Sequence, residues 1–226
     1  MTGLAVRIAT LLALGGAAGL VVTALWTLPP APVDLPGAVA DALPGSGVAH
    51  PVTAVLLNFR AFDTLLEVVV LLVALLGAHT ATRPETLSPV RRDPVLDVAA
   101  GVLVPLMLLT AVYLLWAGTS RAGGAFQAAA VAAAAGVLLV LAGLAPLSLR
   151  PRAAVRFLLV VGPGIFLGVA VAEEAALLAL PPEHAKGRIL LVEAALTISL
   201  ALGLWGLFLC LAAARSGDRD GAGAER

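Results

Sequence analysis

Long apolar runs alternate with short polar stretches along the whole chain, and the run lengths are those of membrane-crossing helices. A bilayer core takes about 20 helical residues, and six stretches reach or approach that length: 8–28, 52–78, 98–117, 125–147, 157–180 and 189–214. The first follows Arg7 and precedes Ala/Pro-rich sequence, as a secretory signal would. It outruns the 7–15-residue apolar core of a signal, so a retained helix is expected. In the second run, charge in the outer half predicts a bent or broken helix, and Pro105 predicts a kink in the third.

The predicted fold is therefore all-α, a polytopic membrane protein of six transmembrane helices. A polar loop, 79–97, divides it into a two-helix module (1–82) and a four-helix module (96–214). The Gly/Asp/Arg-rich tail, 215–226, is expected to be disordered. No internal repeat is evident, which argues against a transporter built from two inverted halves.

Composition agrees. Mean hydropathy is +1.04 and only 12% of residues are charged, against about a quarter in soluble domains. Zero net charge, with no basic groove interleaved with aromatics, argues against nucleic acid. The single cysteine, Cys210, lies in the last apolar run and reads as a small buried hydrophobe. His50, His79 and His184 are far apart and form no ligand pair, so neither metal nor cofactor is expected.

Loop charges predict an orientation. Arg7, Arg83, Arg91, Arg92, Arg150, Arg152, Arg156, Arg215, Arg219 and Arg226 fall on one side, whereas only Arg121, Lys186 and Arg188 fall on the other. By the positive-inside rule both termini are cytoplasmic. The loop 29–51 carries Asp34 and Asp41 but no Lys or Arg, as an outward loop should.

The second span holds the most informative residues. Arg60, Asp63 and Glu67 are spaced i, i+3, i+7 and share one helical face. An uncompensated charge near the bilayer centre costs roughly 2.5–3.5 kcal/mol on insertion scales, so the face must meet protein or water. From Glu67 to Ala78 is about 16 Å of helix, half a hydrocarbon core. A carboxyl there could bind and release a proton or help to hold a cation; equally, it could form a structural ion pair with Arg60 or with a neighbouring subunit. Asp63 and Arg60 could guide protons or anchor the helix at the interface.

Three further acids lie in spans: Glu173 and Glu174 in the outer half of the fifth, and Glu193 in the outer end of the sixth. Adjacent helical residues diverge by 100°, so Glu173 and Glu174 cannot both face one neighbour. Glu193 is a candidate for the ion path. The fourth span, opening Arg121-Ala122-Gly123-Gly124-Ala125-Phe126-Gln127 and running on through alanines, is a close-packing surface. With no Lys-Ser/Thr after its glycines it is not a phosphate loop.

These residues carry a resemblance. Phe59-Arg60-Ala61-Phe62-Asp63-Thr64-Leu65-Leu66-Glu67 resembles the FRGFDTLGE-like motif near the C-terminal end of the large A subunit of multisubunit Mrp-type cation/proton antiporters. A small stand-alone membrane protein of the related membrane-bound hydrogenases carries a similar motif. From Val98 onward the chain is similar to the antiporter B subunit, an MnhB-like domain: the turn 121–129 stands where that family has PGGGFQGG, and Glu193 opens the final helix. Ala61 and Leu66 replace glycines of the first motif, and Ala122-Gly123-Gly124-Ala125 is a reduced form of the second.

The resemblance implies a bacterial inner-membrane subunit of a Na+/H+ antiporter, with the other subunits, the lipid bilayer, Na+ and H+ as its partners. In it Glu67, Asp63 and Arg60 match the motif's charged positions. Two alternatives stand beside this reading: an accessory membrane subunit of a hydrogenase-type complex, and a purely structural assembly subunit. An intramembrane enzyme is not expected, because the chain has no HExxH, no GxSxG and no convergent His/Ser/Asp set.

Overall fold

A computed structural model describes residues 2–29, 33–82, 93–145, 153–172 and 182–224, and every regular element among them is a helix. Among the described residues five helices are long and apolar enough to cross a membrane: Val6–Trp26, Ala61–Ala81, Pro94–Ala117, Ala153–Ala172 and His184–Ala213; a shorter apolar helix spans Ala125–Leu141. The protein is a polytopic membrane protein with the expected set of six apolar helices.

The chain divides into two compact units, 1–38 and 39–226. The first holds helix α1 (Thr2–Trp26). Its threonines donate back to carbonyls one turn earlier, Thr10 to Val6 and Thr23 to Gly19, which hides the hydroxyls from an apolar solvent. A short helix, α2 (Leu35–Ala42), follows.

In the second unit come a single turn of α-helix, α3 (Pro51–Ala54), then a π-helical stretch, Val55–Phe59, and then α4 (Ala61–Ala81). After these are α5 (Pro94–Ala117), α6 (Ala125–Leu141), α7 (Ala153–Ala172) and α8 (Pro182–Ala224). Helix α8 is the centre of the unit, with α7, α6, α4 and α5 packed on it. Its backbone stays helical beyond the apolar span, through residues 215–224, which composition marks as a tail.

The fourth helix ends at Leu141, short of the expected 147. The stop is a glycine: Gly143 has φ of 72°, its N–H reaches the Val140 carbonyl, and the Leu144 N–H reaches Leu139. This is a Schellman closure, which satisfies carbonyls the helix leaves free.

The main core joins the helices through small residues. Ala61 and Val68 of α4, Ala125 and Ala129 of α6, Phe166 of α7, and Leu196 of α8 belong to one buried cluster. A second cluster, around Ala100, Val104, Ala135 and Ala142, seals α5 to α6. Without a hydrophobic drive between helices in lipid, such close backbone approach is what holds a bundle together.

Two breaks in helical hydrogen bonding are repaired by side chains. Pro163 has no N–H for the Leu159 carbonyl, and the Ser199 hydroxyl of α8 donates to that oxygen instead. In the π-helical stretch the Arg60 N–H bonds to Val55 at 2.8 Å, and the Leu56 carbonyl accepts from the Thr64 hydroxyl at 2.6 Å. In a membrane this repair is a requirement, since no water is there to serve.

Candidate ion and proton site

The second span breaks where its charge predicts. Arg60, with φ −133° and ψ 40°, separates the π-helical stretch from α4. Around the break lies a layer of buried polar side chains. Asn58, 2% exposed, donates to the Ser46 carbonyl at 3.1 Å. Thr53 donates to the Gly118 carbonyl, and the N–H groups of Ala49 and His50 reach the Thr119 carbonyl. The segment 46–53 is thereby tied to the turn that joins α5 to α6.

That turn seats the one acidic side chain among the described residues that is fully buried. Glu193 of α8 is 3% exposed. Its carboxyl accepts a hydrogen bond from the Ala125 N–H, in the first turn of α6. A helix leaves its first N–H groups without internal partners and concentrates positive dipole there, so Glu193 caps α6 from another helix.

The seat exists because the turn is made of glycine. A Cβ at Gly118 would stand 3.2 Å from Glu193 Oε1, and one at Gly124 only 2.6 Å from it. Gly124 also has φ of 117°, a conformation essentially confined to glycine. The other carboxylate oxygen, Oε2, is buried with no hydrogen-bond partner. A buried polar atom left in that state calls for an explanation, since it forfeits its solvation for nothing.

The remaining expected residues lie elsewhere. Arg60 and Asp63 form an ion pair on the surface of the chain, 70% and 47% exposed. Glu67 lies on the same side of α4 and is exposed, while its neighbours Thr64 and Val68 are buried. The three charges do share a face, as their spacing predicts, but it is the face turned away from α8, and Glu193 is not part of it. Glu173 and Glu174 lie outside the described residues. No group of three His, Cys, Asp or Glu side chains that could hold a metal occurs among the described residues.

Sequence reasoning passed over Thr53, Asn58, Thr64 and Thr119, all buried, and the pairing of Glu193 with the Gly118–Gly124 turn. The signal for the first group was faint, a scatter of uncharged polar residues beside the charged motif. For the second there was none, because residues far apart in sequence meet only through the packing of α6 on α8.

A chain in the structure of the Mrp complex from Dietzia sp. DQ12-45-1b is 24% identical with a TM-score of 0.67, over 92% of this chain and 25% of that one. This chain thus spans a quarter of the length of the Dietzia chain. A chain in the structure of the membrane-bound sulfane sulfur reductase, an archaeal respiratory membrane complex, is 19% identical with a TM-score of 0.68. That match covers 91% of this chain and 97% of the other. At such identities both likenesses establish the fold. No curated protein matches the chain. The family evidence lies in α5 to α8, where the match spans the glycine turn and Glu193 alike: residues 95–202 match the model of a domain related to the MnhB subunit of Na+/H+ antiporter.

Proposed function

We infer that this chain is a membrane subunit of a multisubunit Na+/H+ antiporter, and that it contributes both to assembly and to the path of the ion or proton. The observation that carries the reading is the MnhB-related domain over residues 95–202. Within that domain Glu193 is the residue with the means to act. One carboxylate oxygen is fixed on the N-terminus of α6, and the other is buried and unpartnered, open to a proton or a cation. Asp63 and Glu67 would serve the path at the surface of the chain, with Arg60 paired to Asp63. Glu173 and Glu174 are further candidates from the sequence alone.

The decisive experiment purifies the native complex, identifies its subunits and reconstitutes it in liposomes with and without this chain. Na+-dependent proton exchange is expected from the complete complex and not from the chain alone. Exchange by the chain alone at the rate of the complex would overturn the reading. A second reading, an accessory subunit of a respiratory membrane complex, is favoured by the near full-length match to the sulfane sulfur reductase chain. Co-purification with redox subunits, and no Na+ coupling, would favour it instead.

The arginine distribution supports an orientation with both termini in the cytoplasm, and the antiporter resemblance supports a bacterial plasma membrane as the location. A cysteine at the exposed Asp41 position should then react with an impermeant maleimide from outside, and one at the exposed Ala81 position only after permeabilisation. The reverse pattern would overturn the orientation. Native Cys210 is buried and should contribute little background.

A further inference from the structure

The unpartnered face of α4 points to a specific kind of neighbour. Asp63, Glu67, Val70, Ala74 and Gly77 follow one another at intervals of four, three, four and three residues, which lines them along one side of the helix. The opposite side, with Ala61, Thr64, Val68 and Leu75, is buried against the rest of the bundle. Glu67, Val70, Ala74 and Gly77 are all exposed, and a Cβ built at Gly77 meets nothing within 4 Å.

Three properties of this stripe define what can cover it. Arg60 is already spent on Asp63, so Glu67 stands on the stripe without a hydrogen-bond or ion-pair partner among the described residues. It stands about 9 Å of helix inward of the start of the span at Ala61, within the apolar length of the helix, where a carboxyl is costly to leave to lipid. Inward of it, Ala74 and Gly77 leave room for another helix backbone to come close. A second copy of this chain would set Glu67 against another Glu67-bearing stripe with its only arginine already paired, adding like charge where opposite charge is needed.

We propose that the Asp63–Gly77 stripe of α4 is an assembly surface, covered by a transmembrane helix of another subunit that presents a Lys or Arg to Glu67 and packs closely over Ala74 and Gly77. The proposal rests on the reading of this chain as one subunit of a membrane complex, and adds the surface and the charge of the partner.

The test uses the whole complex in its native membrane. A photoreactive benzoylphenylalanine placed at Val70 should crosslink to a single other subunit, at a transmembrane segment with a Lys or Arg within about a turn of the crosslink. Glu67→Lys should lower the amount of that subunit retained in the purified complex by roughly tenfold or more, and exchanging the identified Lys or Arg for Glu should restore it. Crosslinks to lipid only, to a second copy of this chain, or to a segment without Lys or Arg would overturn the proposal. So would normal assembly of Glu67→Lys. Na+/H+ exchange by the unmodified complex, measured in parallel, keeps the two readings apart. Exchange with lipid-only crosslinks sinks the surface alone, and the expected crosslink without exchange sinks the antiporter alone.

Discussion

Replacing Glu193 with Gln is expected to abolish ion-coupled transport by the complex while leaving the subunit folded and assembled. The amide keeps the size of the carboxyl and an oxygen for the Ala125 N–H, so the cap on α6 survives. What it loses is the capacity to take up a proton or to offer negative charge at Oε2, the atom that has no partner in the buried seat. Glu193→Ala is the contrasting case: the Ala125 N–H is left without its acceptor, at a cost of about 1–3 kcal/mol, and the space between Gly118, Gly124 and α8 is emptied. If Glu193 served only as a cap, Gln would transport normally and Ala would fail through instability. If it lies on the ion or proton path, both lose transport, and Gln does so with the subunits present in normal amounts. Transport and subunit content, measured together in proteoliposomes of the Gln variant, decide the matter. Normal exchange by an assembled Glu193→Gln complex would remove Glu193 from the path.

Much of this architecture is legible in the sequence, because a membrane span is written as length and hydropathy, and neither depends on tertiary packing. The spans in 98–117 and 125–147 start within a few residues of where α5 and α6 do. The overshoot of the fourth to 147 had a readable remedy in Gly143, whose left-handed backbone ends the helix while the apolar sequence runs on. The break before Ala61 was foreshadowed by charge, but its form was not. A π-helical stretch needs Thr64 to reach back to the Leu56 carbonyl, and no propensity announces that.

The candidate site was harder to read for a different reason. Spacing alone places Arg60, Asp63 and Glu67 on one face, and they do lie on one. Whether that face turns inward or outward depends on which side of α4 has the small and shape-matched residues for α8, here Ala61, Thr64 and Val68. Glu193 presents the converse case. In sequence it is one acid at the outer end of a span, and nothing in its local spacing marks the buried seat it occupies. Its significance comes from a glycine turn some 70 positions earlier, brought to it by the packing of α6 on α8.

The close contact between α7 and α8 gives the sharpest structural test. A Cβ at Gly162 would stand 2.7 Å from Ser199 Cβ, 2.9 Å from the Ala195 carbonyl oxygen and 3.1 Å from Leu196 Cα. Two of these three are backbone atoms of α8, so no side-chain rotation can clear them and the helices must part. Parting them also draws the Ser199 hydroxyl away from the Leu159 carbonyl, which Pro163 has left with no backbone donor. Gly162→Ala should therefore destabilise the protein by about 1–3 kcal/mol, the usual range for overpacking, through the addition of a single methyl group. Two residues along the same helix, a Cβ at Gly164 meets nothing within 4 Å. There the same substitution should be neutral or stabilising by up to about 1 kcal/mol, as alanine is the better helix former. Thermal unfolding of the two purified variants in detergent separates them, with a lower midpoint expected for Gly162→Ala and an unchanged or higher one for Gly164→Ala. Equal midpoints would mean that α7 and α8 do not approach as closely at Gly162 as described, and that the Ser199 repair of the proline break is dispensable.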